Sequence, residues 1–279
     1  MKKGAIEAHL AVFLFGFAGL FGKIIPLSSM QIVFGRTFFA SIFLLLILKY
    51  MGIPLALKVE ERKYVPLLGA ILALHWFAFF HSIQSSTVAI GLITFSTFPI
   101  FTALLEPLFF KEKIVMRNIF LALVTFLGII LMLPSFNMSS DIVKGVLWGT
   151  LSGFTFSILT IINRKYVRKM SSMKLTFYQN LTASLLIFPL TFLYPWKLSM
   201  ESFALLAILG ILFTGVAHTI FIHSLRSIKA HVAGIIASLE PLYGIILAVI
   251  IIGEIPGIRT IIGGSIVILT SIYASVEKY

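Results

Sequence analysis

Glu240 stands directly before Pro241 in a stretch, His223 to Glu254, that stays almost wholly apolar for longer than a bilayer is thick. A carboxylate at that depth costs a few kcal/mol, so it is tolerated when it faces a cavity or a partner. Two chemistries fit it: binding a cationic group of a substrate, or taking up a proton as a coupling ion. A paired or protonated structural carboxyl is the alternative. Pro241 removes a backbone donor and frees a carbonyl one turn earlier, which adds polarity beside the acid. Arg36 lies in another apolar stretch, a turn or so from its end. It either attracts a substrate carboxylate or pairs with a gating acid, or it snorkels to the membrane surface as an anchor. His75, Trp76 and His218 also lie deep in apolar runs. Aromatic surfaces with one polar atom suit recognition of a small organic molecule, although a lone buried histidine serves equally as a helix–helix hydrogen bond. Gln179, between Tyr178 and Asn180, adds an amide; Asn180 itself reads as interhelical glue.

Other chemistries find no support. His218 and His223 are five apart, which does not put both rings on one helical face, so no metal site is expected. There is no G-x-S-x-G, no H-E-x-x-H, no pair of membrane aspartates and no Walker loop. The connections are too short for an ATP-binding domain. The chain is therefore expected to be neither an enzyme nor dependent on a cofactor. An intramembrane enzyme would have only Glu240 with His75 or His218 to work with.

The elements that hold these residues follow from composition. The chain is 59% hydrophobic and 11% charged, with a mean hydropathy of +1.07. Soluble proteins carry about 25% charged residues, so this is an integral membrane protein. Continuous apolar runs point to helices rather than the alternating strands of a barrel. With no cysteine, disulfide and thiol chemistry are excluded. Ten spans are expected: Ala5–Gly22, Gln31–Leu48, Tyr64–Ile83, Thr87–Phe110, Val115–Leu133, Ile142–Ile162, Lys174–Tyr194, Ser202–Ile222, Ala230–Ile252 and Ile258–Val276. The first reads as a transmembrane helix and not a signal peptide, because Ala18-Gly19-Leu20 offers no cleavage site.

The formal charge of +12 raises the question of nucleic acid. The basic residues answer it. With ten spans and the N-terminus inside, 17 of the 22 fall in inner segments, 4 at outer ends, and Arg36 within a span. Such asymmetry is the signature of insertion topology and contact with anionic lipid, with both termini in the cytoplasm. No nucleic-acid partner is expected.

The chain also repeats. Shifting His223–Glu254 back by 142 positions superposes it on His81–Glu112: His81 on His223, Ser82 on Ser224, Ser85 on Ser227, Ser96 on Ser238, Pro99 on Pro241 and Glu112 on Glu254. Phe98 falls where Glu240 stands, so a pseudo-symmetric cavity would be polar on one side and apolar on the other. Ser28-Ser29-Met30 recurs as Ser171-Ser172-Met173, and Arg36 pairs with Gln179. The expected fold is all-α, ten transmembrane helices as a 5+5 inverted repeat, with one copy in 1–134 and the other in 140–279. Five spans per copy is odd, so the second copy sits upside down, as in secondary transporters that bind at the repeat interface. Gly145, Gly149 and Gly153 form a ridge for close helix packing. Glu112 and Glu254 are assigned structural roles in helix-to-helix turns, and Glu106 a place near the inner interface.

Together these features resemble the EamA-type permeases of the drug/metabolite transporter superfamily. The segments that carry the resemblance are FPIFTALLEPLFFKE (Phe98–Glu112) and EPLYGIILAVIIIGE (Glu240–Glu254), with Arg36 after Phe34-Gly35. In each, a proline is followed 13 residues later by a glutamate. Lys111 departs from the usual Gly-Glu ending and is read as an interface variation. The resemblance implies a carrier of small metabolites, amino acids or related compounds, often an exporter, working by alternating access. The expected site is a central cavity lined by spans three, four, eight and nine, with two and seven at its sides. Glu240 supplies charge there and Arg36 a cation. Trp76, Phe98 and Tyr243 are its walls, His75, His218 and Gln179 its hydrogen bonds, and Pro99 and Pro241 its hinges. The expected partners are a small-molecule substrate, the bilayer of the inner (plasma) membrane and a proton as coupling ion; the oligomeric state stays open. The alternative is a non-transporting receptor or assembly partner.

Overall fold

The recurring Ser-Ser-Met explains where two of the helices begin. Ser28 caps α2 (Ser29–Tyr50): its Oγ accepts from the Gln31 N–H while its own N–H donates to Gln31 Oε1 at 3.1 Å. Ser171 Oγ caps α8 (Ser172–Ile187) by accepting from the Lys174 N–H. A hydroxyl at this position satisfies donors that the first turn leaves without partners. The computed structural model describes residues 2–111, 116–132 and 140–276, and among these every regular element is helical. In chain order they are α1 (Lys2–Ile24), α2, α3 (Glu61–Ser85), α4 (Val88–Phe95), α5 (Phe98–Phe110), α6 (Met116–Met132), α7 (Asp141–Tyr166), α8, α9 (Met200–Gly210), α10 (Ala217–Ser224), α11 (Ala230–Ala237), α12 (Glu240–Ile252) and α13 (Ile258–Val276).

Among the described residues, six helical segments are long and apolar enough to cross a membrane: Lys3–Ile24, Ser29–Tyr50, Glu61–Ser85, Val88–Phe110, Asp141–Tyr166 and Met200–Ser224. Three shorter apolar helices, Ile119–Leu131, Glu240–Ile252 and Ile258–Thr270, join them. Large apolar side chains crowd the outside, including Phe120, Leu123, Phe126, Leu127, Ile258 and Leu269. Water would not tolerate so continuous an apolar exterior. The chain is a multi-pass membrane protein.

Four spans are not simple α-helices. The stretch Thr87–Phe110 breaks at Ser96–Thr97, and Ala230–Ile252 breaks at Ser238–Leu239. Pro99 and Pro241 each sit in the first turn after the break, where a missing N–H costs nothing. Met200–Ser224 carries a π-helical segment, Ile211–Val216, between α9 and α10. The expected α-helix up to Tyr194 needs correction: it ends at Ile187 and Phe188–Leu193 continues as a 3₁₀ helix. Pro189 removes the backbone donor that the α ladder would need there.

Lys111 needs a second correction. It adopts a left-handed conformation (φ 57°, ψ 38°) at the end of α5, and Gly253 does the same (φ 69°, ψ 17°) at the end of α12. The position is a helix C-cap in both copies, which glycine fills without strain and lysine does not. It is not an interface variation. Glu112, beside it, lies outside the described residues.

The layers are set by close approach. α3 packs on α7 and α8, α2 on α8, α1 on α10 and α12, and α6 on α13. The glycine ridge works as expected: Gly145, Gly149 and Gly153 lie against Ser86, Thr94 and the Phe95 carbonyl, so α7 nests on the broken helix α4–α5. One large apolar cluster runs through the centre, from Val12 and Phe15 through Trp76 and Phe80 to Phe156 and Phe221.

A central buried polar site

Arg36 sits on α2 and is fully buried, so it does not snorkel. Its guanidinium lies 3.4 Å from the centroid of the Trp76 ring on α3, with Phe80 beyond at 5.2 Å. Stacking on indole is one of the few apolar settings that suit a guanidinium. The π-helical segment supplies the rest. Arg36 Nε donates to Thr214 Oγ1 at 2.9 Å, and an Nη donates to the Phe213 carbonyl at 3.5 Å. Thr214 Oγ1 in turn donates to the Leu209 carbonyl five residues back. A π turn leaves carbonyls out of register with the α ladder, and such turns cluster at functional sites. Here one of them meets the cation. Gly210 makes room, since a Cβ there would meet the Arg36 carbonyl at 2.7 Å.

His75 sits one residue before Trp76, with Nδ1 3.1 Å from the Ser152 carbonyl and 2.9 Å from Ser152 Oγ on α7. The helix–helix hydrogen bond is thus made. Its Nε2 has no partner, and neither have both ring nitrogens of His218 on α10, the other Nη of Arg36 (Nη1) or Trp76 Nε1. His75, His218 and Glu240 all lie within electrostatic range of Arg36. Glu240 opens α12 just past its break and is 3% exposed. Among the described residues it makes no ion pair within 4 Å. The apolar wall continues through Phe156, which touches His75 at 4.8 Å and Phe98 at 5.0 Å between ring centroids.

Arg36, His75, Trp76, His218 and Glu240 therefore form one cluster, with Phe98 reached through Phe156. Two expected members stand elsewhere. Tyr243 packs on Phe13 and Gly16 of α1, because it lies on the face of α12 turned toward that helix. Gln179 is buried on α8 and donates to Asn163 Oδ1 of α7 at 2.5 Å. It does the interhelical work expected of Asn180, whose amide instead bonds the Thr176 carbonyl of its own helix. Thr214, Phe213, Ser152 and Phe156 were not singled out in the sequence. A threonine between Gly210 and Gly215 was the available signal, as a buried arginine requires an acceptor nearby.

At one rim of the bundle a polar cavity of about 430 Å³ is lined by Lys58, Glu60, Glu61, Tyr64, Lys165, Tyr166 and Lys169. Tyr64 and Tyr166 stack across its floor, 3.5 Å between centroids. Glu106 pairs with Arg164 near the same end.

A sequence profile of the EamA-like transporter family matches this chain twice, over residues 2–133 and 143–276. The chain belongs to the EamA-like transporter family. Within and around that family it is similar to an uncharacterized transporter, YxxF, of Bacillus subtilis: 24% identical over 92% of this chain and 85% of the other. An S-adenosylmethionine uptake transporter of Rickettsia conorii is 27% identical over 88% and 83%. The pseudopaline exporter CntI of Pseudomonas aeruginosa is 26% identical over 100% and 98%. One crystal structure superposes with a TM-score of 0.72 at 14% identity, covering 98% of this chain and 95% of that one. That likeness concerns the EamA-like fold alone. The two profile matches split the EamA-like chain near 133–143, a joint that falls largely outside the described residues.

Proposed function

We propose that this EamA-like protein is a secondary carrier of a small organic metabolite, an amino acid or related compound, working by alternating access. In this reading ten helices span the inner (plasma) membrane as two inverted five-helix copies with both termini in the cytoplasm. The observation that carries the reading is the pair of broken helices. They break at equivalent positions of the two copies, and Glu240 opens the second half of one where Phe98 opens the second half of the other. Broken helices near the repeat interface are where such carriers bind substrate and coupling ions. The apolar groove between α2 and α8 adds support. All ten of its lining residues fall into five equivalent pairs: Phe34 with Phe177, Phe38 with Leu181, Ser41 with Ser184, Ile42 with Leu185 and Leu45 with Phe188. A groove built twice over from the same positions is what an axis relating two copies would produce.

Glu240 takes the cationic end of the substrate or the coupling proton, and the breaks before Pro99 and Pro241 act as hinges. One relative is named for uptake of an amino-acid derivative, S-adenosylmethionine, and another for export of pseudopaline. Neither name fixes the direction here. The test is counterflow in liposomes loaded with a panel of amino acids and related metabolites. Saturable exchange of one class is the expected result, accelerated by an imposed proton gradient and no longer accelerated in Glu240→Gln. Binding without flux, in folded and inserted protein, replaces the carrier with the receptor reading.

A further inference from the structure

Arg36 is a fully buried cation whose second Nη has no hydrogen-bond partner, in a site where several other buried polar atoms also lack one. A guanidinium offers five N–H donors in a rigid fork that fits a carboxylate through two parallel bonds. Here one edge is spent on Thr214 and Phe213, and one face is covered by Trp76. The open edge carries the unpartnered Nη. A buried charge without an ion-pair partner is expensive, and a helix is bent out of α geometry to fix this one in place.

We infer that Arg36 is the carboxylate anchor of the transport site, held in orientation by the Thr214 turn and the Trp76 face. This rests on the carrier reading and names the end of the substrate that the reading leaves open. With Glu240 ionised and within electrostatic range, the site offers one cation and one anion. A zwitterion leaves both matched, whereas a simple amine leaves Arg36 uncompensated and a simple acid leaves Glu240 so. Thr214 is a positioning residue: it does not reach the substrate but keeps the fork aimed.

Trp76 is a built-in reporter, because its ring lies against the guanidinium. Trp148→Phe and Trp196→Phe leave it as the sole tryptophan. Full-length protein in nanodiscs is titrated with L-alanine, L-phenylalanine and L-lysine. For each, the matching amine without the carboxylate and the matching acid without the α-ammonium are titrated as well. At least one amino acid should shift Trp76 emission saturably, its acid analogue should compete, and its amine should not. Arg36→Met should weaken binding by about tenfold to a hundredfold, the worth of a charged hydrogen bond. Arg36→Lys should retain part of the affinity, and Thr214→Val should raise the half-saturation concentration while leaving maximal flux unchanged. Equal binding of amine and amino acid, affinity unaltered in folded Arg36→Met, or no response to any probe would overturn the assignment. Liposome flux of an amine by the same protein would overturn it while leaving the carrier intact; flux of nothing at all removes the carrier reading itself.

Discussion

Lys111 shows how a single position ties sequence to energetics. The same helix end is built twice, once with Gly253 and once with lysine, and both adopt the left-handed conformation. An L side chain pays about 1–2 kcal/mol for that. Lys111→Gly should therefore raise stability by up to about 1 kcal/mol, the unfolded chain's greater freedom with glycine taking back part of the gain. A thermal unfolding midpoint in detergent reads this directly, and an unchanged or lowered midpoint removes the argument. Arg36 is the opposite case, a residue kept despite its cost. From the sequence its burial and its snorkelling were equally open; stacking on Trp76 and the bonds to the π turn decide for burial. Tyr243 was misplaced for a plain reason. Its number puts it near Glu240, but helical rotation turns it toward Phe13.

At the scale of the element, the broken helix α4–α5 depends on α7. A Cβ on Gly153 would stand 2.7 Å from the Phe95 carbonyl and 2.7 Å from Thr97 Oγ1, at the break itself. A backbone oxygen cannot swing aside, so α7 must move away. Gly153→Ala should cost about 1–3 kcal/mol, the usual range for overpacking. Gly257→Ala, which meets nothing within 4 Å, should not. Equal unfolding midpoints for the two variants would show that the ridge does not hold the break. Glu254 is also an element-scale device. Its Oε1 accepts from the Ala89 N–H at 3.2 Å, so the end of α12 caps the start of α4. A carboxylate there meets the positive end of the helix dipole. The structural role expected of it is borne out in kind, but its partner lies on a distant helix that no local pattern indicates.

For the whole molecule, the charge asymmetry makes a topological prediction. The chain has no cysteine, so single cysteines can be placed without a reactive background. Asp141→Cys lies at a start of α7 that the proposed topology puts outside, and Lys169→Cys lies past its other end, on the inside; both positions are exposed. An impermeant maleimide added to intact cells should label the first and not the second. Labelling in the reverse order would invert the proposed topology.

Fold class, helix locations and the repeat were legible in the sequence because each depends on composition and short-range order. An apolar run of sufficient length must form a helix in lipid, where backbone groups have no other partner. Pro99 and Pro241 each start a helical half after a break, and a copy declares itself by matching residues. Pro99, Pro241 and Ser-Ser-Met mark helix boundaries for those reasons. The site was legible only in its expensive members. Arg36 and Glu240 stand out because charge in an apolar run needs explanation. Thr214, Ser152 and Phe156 do not, being ordinary residues for a membrane helix. What makes them part of the site is how the helices are turned and pressed together. That is settled by packing between elements far apart in the chain, through the close approach of α7 to α4 and the π turn of α9–α10 against α2. Helix rotation is a property of the assembled bundle, so the tertiary structure alone could bring Arg36, Trp76, His75, His218 and Glu240 to one place.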